Sequence, residues 1–156
     1  MSHAHRPHDA RGQFARLIAA LGRRIGQPLL PDEGSVALAD ARDALQLMVE
    51  LSTEEDCIHA IRPFIEIPDD EADAGRLACE LLRVNADRDA LGRSLVCAYT
   101  PGRLYCLVQR LELDLSPAAF VMAIEELAEL GDALRASLLG RGDPVPRPAN
   151  LQLHRA

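Results

Sequence analysis

The chain has 156 residues, 48% of them apolar, and its 24 acidic side chains outnumber 17 basic ones for a net charge of −7. That length fits one domain, and that apolar share supports a packed core, which excludes global disorder. Between the two polar ends, residues 1–11 and 141–156, the body holds 22 acids and 12 arginines and would repel phosphate, so nucleic acid is a poor partner.

Aromatics are scarce and Trp is absent, so Leu, Ala, Val and Ile must fill the core. No run reaches the roughly 18 apolar residues of a membrane-spanning helix. Met1 to Arg11 is polar and His-rich, without the apolar stretch of a signal peptide. The expectation is a cytoplasmic protein with no membrane insertion. Cys57, Cys79, Cys97 and Cys106 form no C-x-x-C pair and have no histidine at ligand spacing. In a reducing compartment they are expected to be buried, small apolar side chains.

Residues 1–11 read as a flexible His-rich head, 12–140 as the folded domain, and 141–156, with Pro144, Pro146 and Pro148, as a disordered tail. From Asp9, a capping residue, Phe14, Leu17, Ile18, Leu21 and Ile25 recur as one stripe of an amphipathic helix that Gly22, Gly26 and Pro28 weaken and stop. Ser35 to Asp40 predicts a short strand with Val36 and Leu38 on one face. Leu45, Leu47, Val49 and Leu51 give the cleanest alternation in the chain. A third strand spans Cys57 to about Ile67, with Pro63 marking an edge or bulge. Pro68-Asp69-Asp70-Glu71 opens a helix reaching about Asn85, with Ala74, Leu77, Ala78, Leu81 and Leu82 along a stripe. Two strands, Arg93 to Tyr99 and Arg103 to Leu113, flank the hairpin turn Thr100-Pro101-Gly102. Ser116-Pro117 caps and starts a last helix with Phe120, Ile124, Leu127, Leu134 and Leu138 inward and Glu125, Glu126, Glu129 and Asp132 outward. The fold expected is α+β, in the order α-β-β-β-α-β-β-α, with a twisted antiparallel sheet of five strands and three helices.

No catalytic pattern emerges. Gly22-Arg23-Arg24-Ile25-Gly26 lacks the spacing and Lys of a phosphate loop, and Ser94 stands in no G-x-S-x-G. His3, His5, His8 and His154 fall in the ends. His59 reads as a satisfied or solvent-facing strand residue. The acidic runs Glu54-Glu55-Asp56 and Asp69-Asp70-Glu71 read as loop solvation and capping, and Arg141-Gly142-Asp143 as a chance tripeptide. No enzyme, cofactor or metal is expected.

Three stretches, FARLIAALGRRIGQPLLPDEGSVALAD, FIEIPDDEADAGRLACELLRVNAD and SLVCAYTPGRLYCLVQRLELDLSPAAFVMAIEELAELGDALRASL, resemble in order, spacing and acidity the class I type III secretion chaperones, the family of the Tir chaperone. They cover about residues 12–140. The charged connection ADRDALGR departs from the family's Gly-rich one, and the His-rich head and Pro-rich tail resemble broad-specificity, HpaB-type members. The resemblance implies a homodimer that holds the N-terminal region of effector proteins in extended form, keeps them secretion-competent and helps deliver them to the export apparatus, with the secretion ATPase as a further partner. The candidate effector groove is Phe14, Leu17, Ile18, Leu21, Val36, Leu38, Leu45, Leu47 and Val49, although the same residues also suit a core. The candidate dimer interface is Ala74, Leu77, Ala78, Leu81 and Leu82, joined by Leu95, Cys97 and Tyr99. Rival readings are a regulatory adaptor that binds a folded bacterial partner and a small α+β ligand-binding or enzymatic domain.

Overall fold

The computed structural model describes residues 7–140, without the side chains of residues 7–9 and residue 88. The expected tail at 141–156, most of the head, and His3, His5 and His154 lie outside the described residues. Helix α1 (Pro7–Ile25) is followed by strands β1 (Ser35–Ala39), β2 (Leu45–Ser52) and β3 (Cys57–Glu66). Helices α2 (Glu71–Ala86) and α3 (Arg88–Leu91), hairpin β4 (Ser94–Tyr99) and β5 (Leu104–Glu112), and helix α4 (Pro117–Leu138) complete the chain. The α+β class and five antiparallel strands match the expectation; the helices number four among the described residues, because the ADRDALGR connection forms the single turn α3.

Two helix starts follow from local chemistry. The Asp70 carboxylate accepts from Asp73 N–H at 2.9 Å, and the Ser116 hydroxyl accepts from Ala119 N–H at 3.2 Å with Pro117 at the first helical position. Helix α1 starts earlier than the sequence suggested, at Pro7, so Asp9 lies inside its first turn and the expected flexible head overlaps the helix. At its other end Gly26, at φ 78°, reverses the chain, and Gln27 N–H reaches back to the Gly22 carbonyl at 3.0 Å. Gly22 is needed there for space: a Cβ on it would lie 2.7 Å from the Gln27 carbonyl oxygen.

The strands lie in the order β1-β2-β3-β5-β4, every neighbouring pair antiparallel. β2 pairs with β3 only as far as Met48 opposite Ile61, so Pro63 sits where that partner has ended and where the β3–β5 register shifts. A residue without an N–H costs the ladder nothing there. The registers put Val36, Val49 and Ala60 in one row and Leu51, Ile58 and Leu111 in another. These rows join Phe14, Leu17, Ile18 and Leu21 of α1 and Phe120, Ile124 and Leu127 of α4 in a single core, so both helices cover one face of the sheet. An Arg24–Glu125 ion pair at 2.5 Å ties α1 to α4.

One cation penetrates this core. Arg62 of β3, 9% exposed, donates to the Gln46 carbonyl and side-chain oxygens at 2.6 Å each and to Asp132 of α4 at 2.6 Å. Asp132, expected to face outward, is turned onto the sheet by this charge. Gly131 makes the room, since a Cβ there would lie 2.8 Å from Arg62 Cγ.

Candidate functional site

The two outer strands of an open sheet each offer an unpaired row of backbone groups. On β1 the ladder alternation sets which residues those are. Leu51 N–H bonds to the Gly34 carbonyl at 2.8 Å, so Gly34, Val36 and Leu38 direct their peptide groups toward β2. Ser35 turns its own outward, where it exchanges bonds of 2.9 and 2.8 Å with Asp32. Ala37 is the next outward residue, and its small side chain is exposed. Leu30, in the loop ahead of β1, is 71% exposed. The far end of β1 is held by Asp40, whose carboxylate accepts from the backbone N–H groups of Arg42 (2.8 Å) and Ala44 (3.1 Å). Those two bonds hold the Asp40 carboxyl below its ordinary pKa.

The other edge is plugged. Asn85 of α2 donates from Nδ2 to the Val96 carbonyl at 2.9 Å and accepts Val96 N–H on Oδ1 at 2.8 Å. A side-chain amide thereby satisfies both polar groups that another strand would need at the middle of β4. Around this plug the surface is apolar. Leu82, one helical turn before Asn85, is 67% exposed, and Leu95 and Tyr99 on the uncovered face of β4 are 46% and 51% exposed. The turn below is anchored by Arg103, at φ 51°, which donates from Nη2 to the Ile67 and Pro68 carbonyls at 3.3 and 3.1 Å and pairs with Asp69 at 2.8 Å.

The expected groove residues fall elsewhere. Phe14, Leu17, Ile18, Leu21, Val36, Leu38, Leu47 and Val49 are all buried between α1, α4 and the sheet; only Leu45 is partly exposed. They form the core rather than an open groove, because α1 satisfies its apolar stripe against the sheet of its own chain. Of the expected interface residues, Leu82, Leu95, Cys97 and Tyr99 are exposed and Ala74, Leu77 and Ala78 partly so, whereas Leu81, 2% exposed, belongs to the core.

The cysteines divide. All four are free; Cys57 and Cys106 are buried as expected, while Cys79 and Cys97 are exposed. Burial, with the Cys97 thiol opposite it on β4, pushes Cys106 up to about 11 and keeps it an unreactive thiol. A cavity of about 400 Å³ between α3, β4 and α4 includes Ser94 and Glu126 in its lining but no histidine or lysine to activate that hydroxyl. Sequence reasoning missed one constellation: Glu55, Cys57 and His59 converge at the β2–β3 turn. Cys57 and His59 stand two apart on a strand, hence on one face, which corrects the reading that no cysteine has a histidine at ligand spacing.

No protein-family model and no curated protein matches the chain. Among solved structures, a chain in the crystal structure of the ExsC–ExsE complex superposes with a TM-score of 0.66 at 14% identity, over 80% of this chain and 92% of that one. A chain in the HopA1–SchA chaperone–effector complex superposes with a TM-score of 0.61 at 17% identity, over 79% of this chain and 93% of that one. At these identities the likeness is one of fold: both chains share the α+β arrangement described above.

Proposed function

We propose that this protein is a type III secretion chaperone: a non-catalytic, cytoplasmic homodimer that holds the N-terminal region of effector proteins in extended form and helps deliver them to the export apparatus. The observation that carries this reading is a fold shared over 79–80% of this chain with chains from two protein complexes, one of them a chaperone–effector complex. The β1 edge supplies a physical route. An extended segment would add as a sixth strand beside β1, bonding at Ala37 and placing apolar side chains near Leu30. The ordering entropy of such a segment demands a long contact, so the effector wraps beyond the edge.

The second copy would meet the α2–β4 surface. Leu82, Leu95 and Tyr99 are three of the six large apolar side chains that the described residues expose, and a two-fold contact needs one such patch per protomer. The Asn85 plug restricts this contact to side chains.

The test is pull-down of the full chain from its native bacterium with mass spectrometry, using N-terminally truncated preys as controls. Capture of secreted proteins that is lost on truncation supports the reading; capture of a single folded regulator whatever its N-terminus defeats it.

A further inference from the structure

At the β2–β3 turn three side chains of different chemistry aim at one point. Cys57 Sγ lies 3.6 Å from Glu55 Oε2 and 3.6 Å from His59 Nε2, and His59 Nε2 lies 3.3 Å from Glu55 Oε2. A four-coordinate zinc ion, with sulfur at about 2.3 Å and nitrogen or oxygen at about 2.0–2.2 Å, spaces such ligand atoms about 3.3–3.6 Å apart. The three observed separations are those of three corners of that tetrahedron.

The same atoms are poorly arranged for catalysis. A thiol activated by a histidine needs one ring nitrogen on sulfur and the other on the carboxylate. Here Nε2 alone faces both, and Cys57 is fully buried. Without metal the Cys57 thiol donates to Glu55 Oε2; an ion bound there would take the place of that proton.

The surroundings also favour positive charge. Register places Glu50 opposite His59 and Glu112 opposite Cys57. The one nearby guanidinium, Arg110, stands opposite His59 and reaches Glu112 at 3.6 Å, the Glu55 carbonyl at 3.4 Å and Glu55 Oε2 at 4.0 Å, so a bound ion would take over that carboxylate oxygen from it. Local geometry fixes the ligands: strand pleating sets Cys57 and His59 side by side, and the turn, with Asp56 at φ 53°, folds Glu55 over them.

We propose that Glu55, Cys57 and His59 form a binding site for a divalent cation of zinc type, with one coordination position left open. Mixed sulfur, nitrogen and oxygen donors select zinc over magnesium or calcium, which take oxygen alone. The bound ion would clip the β2–β3 turn to the sheet.

Cobalt(II) titration of the reduced, metal-free full chain tests this, with zinc as displacer. The expected result is one cobalt per protomer with a thiolate-to-cobalt charge-transfer band, bleached by zinc. His59→Ala and Glu55→Gln, both at solvent-accessible side chains, should keep the fold and weaken binding by at least about tenfold. Cys57→Ser should abolish the band, whereas joint replacement of His3, His5 and His8 by Ala should leave it unchanged. Absence of the band in the unmodified protein, its persistence at full strength in His59→Ala, or its loss with the three N-terminal histidines each overturns the proposal.

Discussion

The two edges of the sheet are built to opposite ends. The β1 edge presents peptide groups but little side chain, with Ala37 outermost; the β4 edge presents large apolar side chains but has its central peptide groups occupied by Asn85. The difference teaches that whether an edge accepts a foreign strand is decided locally, here by one amide reaching across from a helix. It also divides labour: backbone pairing suits a partner of variable sequence, whereas apolar side chains suit a fixed, self-complementary one.

The strongest way to break the comparison is to charge the β4 side. Leu82→Asp combined with Leu95→Asp removes apolar contacts that a two-fold interface counts twice, worth about 1.5–3 kcal/mol per buried Leu. Light scattering should show monomer with the circular dichroism unchanged. Leu81 is the wrong target, since its burial would turn the same experiment into an unfolding assay. Next in size, Asn85→Ala leaves the Val96 peptide groups without their partner. Urea denaturation should register a loss of about 1–3 kcal/mol, and the opened edge should raise the tendency to aggregate.

On the β1 side, Ala37→Pro deletes an outward N–H without touching the ladder to β2, a position where an edge strand tolerates proline. Stability should hold while effector affinity, measured by calorimetry, falls by about tenfold, the equivalent of roughly 1.4 kcal/mol and one lost hydrogen bond. The smallest effect concerns pH. The folded pKa of Asp40 lies below its unfolded value, so its contribution is present above the unfolded pKa near 4 and is lost as pH falls through the folded value. Amide exchange at Arg42 and Ala44, corrected for its intrinsic pH dependence, should lose protection as the solution is acidified through that range. Asp40→Asn should remove most of that dependence.

Periodicity made much of this fold legible. The alternation from Leu45 to Leu51 gave β2, the Asp70 and Ser116 caps gave α2 and α4, and Pro63 marked its own bulge. What periodicity cannot supply is the identity of whatever covers a face. The stripe of Phe14, Leu17, Ile18 and Leu21 reads alike whether it awaits a partner or packs on its own sheet, and it does the latter. The same limit separates Leu81 from Leu82: adjacent on a helix, they point about 100° apart, and only tertiary packing says which direction is inside. The Asn85 plug had no sequence signal, because an asparagine near a helix end ordinarily reads as a stop. The Glu55, Cys57 and His59 cluster did have one, the i, i+2 spacing on a predicted strand beside an acidic turn.

Arg103 carries a consequence for timing. It fastens the β4–β5 turn to Ile67, Pro68 and Asp69, residues that precede it by two helices and a strand. During synthesis, α2 leaves the ribosome well before its fastening exists. The apolar surface of Leu82, Leu95 and Tyr99 therefore acquires its final shape only after the hairpin has emerged.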